Sequence, residues 1–292
     1  MATACACPSF STSARIPFTP RRSATTTFRP DLYRRRLPSP MACAADTNLA
    51  IFEAAKHAVD RYVRNGMVIG LGSGSASCLA IQYLGRRLRD GALREVVGIP
   101  MSVSSASEAE KAGIPLEQYQ ESIQIDFAFD DADIIEEGSL TAVIGRRKLE
   151  GIESIIQEKS IVKAAANVAF ITDEKQYGRD LDGSIPVLVN PVNWMETAEI
   201  IDDLFLGDAE VWRRPTLGHA GPLGGDFPLV TEDGHHILDV IFTSPIHDLA
   251  EVAESLNQID GVVDHGVICG ISCTAIIASE DGVKVVDNLS RS

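Results

Sequence analysis

The 292-residue chain has no run of 18 or more apolar residues, so an apolar membrane-spanning helix is not expected. It lacks a paired Cys-x-x-Cys framework. Its six cysteines stand at 5, 7, 43, 78, 269 and 273, which argues against a structural zinc or a disulfide scaffold. There is no internal repeat. Lysine is missing altogether from residues 1–45, and Asp31 is the one acid there. That stretch holds instead seven arginines (Arg15, Arg21, Arg22, Arg29, Arg34, Arg35, Arg36) and carries +6 of a net −15, leaving −21 for residues 46–292. An acidic body without a basic patch makes nucleic acid a poor partner.

The first 45 residues are also rich in Ser and Thr, among them Ser9, Ser11, Thr12, Ser13 and Thr25 to Thr27. Arginine-rich, serine-rich and acid-poor composition is that of an organellar transit peptide. The competing reading is a disordered basic arm that binds nucleic acid. Prolines at 17, 20, 30, 38 and 40 break a long amphipathic helix and so favour the plastid over the mitochondrion. Removal is expected near Ala42–Ala45.

From Leu49 the apolar spacing becomes helical (Leu49, Phe52, Ala55, Ala58, Tyr62), and Asn65-Gly66 ends the run. A short apolar strand at Met67–Leu71 enters Gly72-Ser73-Gly74-Ser75, and a helix follows over about Ala76–Leu88. Strands are expected at Glu95–Pro100, Ile125–Phe129 and Val168–Thr172, with helices near Ala106–Ala112 and over Leu149–Asn167. This alternation predicts an α/β fold with a doubly wound, mainly parallel sheet. Ligands bind such sheets at the carboxyl ends of their strands. Beyond residue 180 the texture suggests a second, smaller α+β domain, with strands at Val187–Val189 and His236–Phe242 and a helix at Asp248–Gln258. The final strands, Thr274–Ala278 and Val283–Val286, are expected to return to the first sheet. The expected division is thus 46–179 with 268–292 as a Rossmann-like domain, and 180–267 as the small one.

Four constellations carry chemistry. The turn Gly70-Leu71-Gly72-Ser73-Gly74-Ser75 lets backbone N–H groups converge on an anion at a helix start, with Ser73 and Ser75 adding hydroxyls. A dinucleotide site would also need an acid at the end of the next strand, and Gly98-Ile99-Pro100-Met101-Ser102 has none, so a phosphate fits better. A tight turn without a ligand is the bland alternative. Ser102-Val103-Ser104-Ser105 could add hydroxyls or simply cap a helix. In Asp130-Asp131-Ala132-Asp133 mutual repulsion can raise a carboxyl pKa toward the acid/base range; a solvated acidic loop or a Mg²⁺ site are the other readings. No loop has calcium spacing, and His235-His236 with Asp239, the nearest metal candidate, puts neighbours on opposite faces of a strand. No metal or other cofactor is expected. Glu158-Lys159 on a helix is, taken alone, surface decoration.

Taken in order, these pieces resemble the ribose-5-phosphate isomerase A family. Its GxGTGST-type loop, Ser-rich loop, DGADE motif, lysine opening a glycine run, REK triplet and D-x-x-K segment correspond here to Gly70–Ala76, Ser102–Ser105, Asp130–Ile134, Lys148, Gln157-Glu158-Lys159 and Asp173–Lys175. The likeness continues through Ile185–Glu196, Val230–Asp239 and Gly261–Gly270, so it spans nearly everything after residue 45. It implies metal-free interconversion of ribose 5-phosphate and ribulose 5-phosphate through an enediolate, in the non-oxidative pentose phosphate branch. It implies Glu158 as the base, with Asp130 and Asp133 assisting ring opening and holding sugar hydroxyls. Ser73, Gly74, Ser75, Ala76, Ser104, Asp131, Lys148 and Lys175 are the implied substrate contacts. A homodimer or higher homo-oligomer, away from any membrane, is the expected assembly.

The motifs also depart from the family. DGADE is here Asp130-Asp131-Ala132-Asp133-Ile134, and the glycine run is Leu149-Glu150-Gly151-Ile152-Glu153. A lysine near the start of the family's first helix has no match; Phe52 and Glu53 stand there. Ten helical steps from Lys148 to Glu158 would put them roughly 15 Å apart, too far to serve one small sugar. A break near Gly151 therefore favours the isomerase. An unbroken helix favours the alternative, a catalytically weak paralogue that binds sugar phosphates or regulates an active partner.

Overall fold

The computed structural model describes residues 40–146, 154–179, 181–216 and 227–288, with side chains from residue 48 onward. Six strands form the first sheet: β1 (Val68–Leu71), β2 (Val97–Pro100), β3 (Phe127–Asp131), β6 (Val168–Asp173), β13 (Cys273–Ser279) and β14 (Gly282–Asn288). They lie in the order β14-β13-β6-β3-β1-β2, all parallel except the edge strand β14. The chain moves from β1 outward to β2, then returns to place β3 on the other side of β1. Loops leaving β1 and β3 therefore diverge and open a crevice at the carboxyl edge.

Side-chain alternation decides what covers each face. Phe127 and Phe129 of β3 join Ile69, Leu71 and Ile171 beneath α1 (Pro40–Tyr62) and α2 (Ser75–Arg89), which supply Ala54, Ala58, Ala80, Ile81 and Leu84. Ala128, between the two phenylalanines, faces the other way and packs with Ile99, Phe170 and Ile277 against Ile161 and Val162 of α4 (Ile155–Ala164). The third helix, α3 (Val103–Ala112), starts at a capping box between Ser102 and Ser105. Helix α1 includes residues 40–45, so the expected end of the leader falls inside a helix rather than ahead of one.

A smaller antiparallel sheet, β11-β8-β10-β9, is built from β8 (Leu181–Val189), β9 (Ala209–Arg213), β10 (His236–Ile246) and β11 (Val262–His265). Ile201 of α5 (Trp194–Leu204) and Leu249, Ala253 and Leu256 of α6 (Leu249–Asn257) fill its core against Ile185, Val187, Val189 and Val240. A third set of very short strands links the two: β4 (Ile134–Glu136), β5 (Ala142–Val143), β7 (Tyr177–Gly178) and β12 (Val267–Ile268). Among the described residues no helix is long and apolar enough to cross a membrane. The architecture is thus α/β, a mainly parallel sheet joined to a smaller antiparallel one.

The sequence pattern placed a helix over Leu149–Asn167, but α4 begins only at Ile155. Ser154 is extended (φ −93°, ψ 103°) and its side chain accepts the amide of Gln157 at 3.2 Å, a hydrogen-bonded N-cap that halts the helix. A continuous helix from Lys148 to Glu158 is thereby excluded. Residues 147–153, including Gly151, lie outside the described residues.

The crevice requires close backbone approach. A Cβ on Gly72 would lie 2.4 Å from the Phe129 carbonyl oxygen and 2.5 Å from Asp130 Cα, and backbone cannot move aside as a side-chain tip can. Gly72→Ala should force β1 and β3 apart at their carboxyl ends and cost about 1–3 kcal/mol, the usual range for overpacking. Urea denaturation would show it, and an unchanged midpoint would refute the steric argument.

Candidate active site

The site grows from three chain segments meeting at the crevice. Gly74, in the positive-φ region (φ 109°), turns the chain from β1 into α2 and leaves Ser73 buried beneath the turn. The Ser73 amide donates to Asp130 Oδ1 at 3.0 Å, and its hydroxyl donates to Glu158 Oε2 at 3.1 Å. Asp130, next to last in β3, is fully buried and also accepts the Asp131 amide on Oδ1 at 2.9 Å. Glu158 sits in the first turn of α4 and is 5% exposed. The structure thus joins Ser73, Asp130 and Glu158, which lie far apart in sequence, into one buried hydrogen-bonded group.

Asp130 also lies beside Glu158, whose like charge disfavours its ionised form. Asp130 Oδ2 meets no donor among the described residues, and burial first, then the charge and hydrogen bond of Glu158, push the Asp130 carboxyl well above its usual range. Asp131 adds a smaller push, and the Ser73 amide opposes it. Asp130 therefore keeps its proton to higher pH than an ordinary aspartate, beside Glu158. The acidic cluster does raise a pKa, but desolvation is the larger cause.

The residue after Glu158 points elsewhere. Lys159 is buried, and its Nζ donates to Asp264 Oδ1 at 2.5 Å and to the His265 carbonyl at 2.8 Å, both on β11. Burial pushes this ammonium down and Asp264 pulls it back up. The His265 imidazole is driven to about 4, first by burial and then by Lys159; neutral at pH 7, it accepts the Val267 amide on Nδ1 at 3.1 Å. Lys159 is a tether between α4 and the smaller sheet, not a cation in the crevice. At the start of the same helix Ser154 Oγ donates to Asp233 Oδ2 at 2.8 Å, a second tether.

Asp133 accepts the Arg146 amide on Oδ2 at 2.9 Å, and Arg146 in turn donates its guanidinium to the Asp182 carbonyl at 3.1 Å. Motif reading did not single out Arg146, because its link to Asp133 is made through the backbone. Asp131 holds the amides of Ala76 and Ser77 at 2.9 and 2.6 Å, so it braces the start of α2. Ser75 and Ser104 are exposed in the first turns of α2 and α3, where Ser102 and Ser105 do the capping. Lys175 is exposed in a 3₁₀ turn (Glu174–Gln176) whose start is capped by Asp173. Lys148 lies outside the described residues. Asp239 is taken by Arg214, which grips both its oxygens at 2.9 and 2.5 Å, and among the described residues no three His, Cys, Asp or Glu could share a metal ion.

Fold and site together define a buried carboxyl cluster at the switch point of a doubly wound sheet. Known proteins share this framework. A sequence profile for "Ribose 5-phosphate isomerase A (phosphoriboisomerase A)" matches residues 97–282. Ribose-5-phosphate isomerase A of Gluconobacter oxydans is 37% identical over 242 residues, 82% of this chain and 96% of that protein. Probable ribose-5-phosphate isomerase 3, chloroplastic, of Arabidopsis thaliana is 31% identical over 239 residues, 80% of this chain and 81% of that one. A solved D-ribose-5-phosphate isomerase in complex with phospho-erythronic acid superposes with TM-score 0.70 at 29% identity, covering 82% of this chain and 98% of its own. The chain belongs to the ribose-5-phosphate isomerase A family.

The raised Asp130 carboxyl has a stability consequence. Between the ordinary carboxylate range, roughly 4, and its folded value, the unfolded chain has lost this proton while the folded chain keeps it. Folding there binds a proton, so stability falls as pH rises through that window. Asp130→Asn, which keeps the shape and needs no proton, should flatten this part of the profile. Urea midpoints measured against pH would test it; parallel profiles for the two proteins would contradict the assignment.

Proposed function

We propose that this chain is an aldose–ketose isomerase that interconverts D-ribose 5-phosphate and D-ribulose 5-phosphate. The observation that carries the reading is the buried Ser73–Glu158–Asp130 group, a glutamate beside an aspartate whose burial favours its protonated form. Glu158 takes the proton from C2 of the open-chain aldose; the C–H electron pair becomes the C1–C2 double bond and the carbonyl pair moves to O1, which gives an enediolate. Returning that proton to C1, while the C2 hydroxyl proton passes to O1, gives the ketose. Asp130, whose burial favours its protonated form, protonates the ring oxygen as the cyclic sugar opens in this reading, and Asp133 holds a hydroxyl. A positioned base contributes about 10²–10⁴-fold, so orientation and stabilisation of the enediolate by nearby donors must supply the rest. Lys148 and Lys175 are the cations proposed for that task.

Each proposed step moves only protons and an electron pair between carbons and carboxyls, so no metal is invoked. The start of α4 at Ile155 supports turnover, because it removes the straight helix that would have held Lys148 away from Glu158. Phospho-erythronic acid in the related structure supports a sugar phosphate as ligand. A plastid address is supported by the arginine-rich, acid-poor first 45 residues and by an Arabidopsis relative named chloroplastic. A homo-oligomer is supported by the exposed apolar side chains Val192, Met195, Ile200 and Leu204 on and beside α5.

The decisive experiment follows deuterium exchange at C2 of ribose 5-phosphate. The parent protein should catalyse exchange in EDTA, and Glu158→Gln should lower it by about 10²–10⁴-fold with little change in substrate affinity. Exchange that survives Glu158→Gln would assign the base elsewhere. A parent that binds ribose 5-phosphate without exchanging it would be the weak paralogue instead. Fusing residues 1–45 to a fluorescent reporter tests the address, and uniform cytosolic fluorescence would reject it.

A further inference from the structure

The first N–H groups of a helix have no partner within it, and with the helix dipole they attract an anion. At the end of a glycine-rich turn this is where an incoming phosphate is expected. In this chain two of those donors, the amides of Ala76 and Ser77, are already occupied. Asp131 Oδ2 accepts the Ala76 amide at 2.9 Å and Oδ1 accepts the Ser77 amide at 2.6 Å, so one carboxylate spans the first turn of α2. The side chain is delivered from the end of β3 and is 5% exposed, which makes it part of the floor of the crevice rather than a solvated acid.

Three sequence positions agree. Asp131 stands where the DGADE motif has glycine, which has no side chain to reach α2. Ala76 stands where the GxGTGST motif has a second hydroxyl residue, so this helix end has one donor fewer. Phe52 and Glu53 stand where the family has a lysine near the start of its first helix. The same end has gained an anion and lost a hydroxyl, and the first helix lacks a lysine at that position; Lys56 follows a turn later and pairs with Glu53 at 3.4 Å.

We propose that Asp131 is a specificity-determining residue: an internal anion that competes with the substrate phosphate for the start of α2. It rests on the isomerase reading only for the identity of that phosphate. A phosphate monoester must displace Asp131 or sit farther from the helix, and in either case like charges oppose its approach. Affinity for the phosphorylated sugar is set lower than the turn alone would give. Removing the carboxylate should restore an anion site.

The test uses the whole protein and two ligands. Inorganic phosphate is titrated by calorimetry into the parent, Asp131→Gly and Asp131→Asn, and KM and kcat are measured for ribose 5-phosphate. Asp131→Gly should bind phosphate about tenfold more tightly, within the range for one anion at a helix start. KM should fall by a similar factor while kcat changes less than about threefold, and the gain should shrink at high salt. Asp131→Asn keeps an acceptor for α2 without the charge; it should gain affinity too, and it decides the matter if the glycine variant does not fold. Phosphate binding that is unchanged or weaker in both variants overturns the proposal. A parent without isomerase activity whose variants gain phosphate affinity would reject the isomerase reading and keep this one.

Discussion

The amide of Ser73 reaches Asp130 Oδ1 across the crevice between β1 and β3, and it can do so only because Gly72 has no Cβ to hold the strands apart. The arrangement of the site follows from that contact. Asp130 is pinned at the bottom of the crevice, out of water, where its charged form is disfavoured. Ser73 is turned so that its hydroxyl meets Glu158 arriving on α4. The same turn sets the start of α2 against the end of β3, within reach of Asp131. A shift of the β1 turn would disturb all three relations together, because each uses the same few backbone atoms.

An acidic body poses a problem that this site solves locally. Residues 46–292 carry −21, and four carboxyls (Asp130, Asp131, Asp133 and Glu158) lie buried near one another. Backbone amides donate to Asp130, Asp131 and Asp133, and a hydroxyl donates to Glu158. Burial also favours the protonated form of Asp130, which lowers the charge gathered there. Among the described residues the buried lysine beside this group, Lys159, is paired with Asp264.

Much of the fold was legible in the sequence because it depends on local signals. The strand at Met67–Leu71, the helix after the glycine turn and the return of the last two strands to the first sheet all follow from apolar period and turn residues. The late start of α4 was not legible, since its cap is a single serine whose role shows only once its side chain bonds Gln157. Strands of two or three residues such as β5 and β7 are too short to show any period. Within the site, the residue types of the acidic motif were readable, but not their partners. Asp131 was expected as a substrate contact; its carboxylate braces α2, holding amides 54 and 55 positions earlier in the chain.

Helix α4 belongs to the first sheet by packing and to the second by charge. Ile161 and Val162 rest on the parallel strands, while Lys159 is bonded to β11. Glu158 therefore sits at a mechanical junction. If β11 peels away, the buried ammonium loses its counter-charge and carbonyl acceptor at once, and α4 is no longer held against rolling. Opening of the smaller sheet and withdrawal of Glu158 become one cooperative event, so the lifetime of the assembled centre is bounded by the local stability of β11 and not by that of the large parallel core.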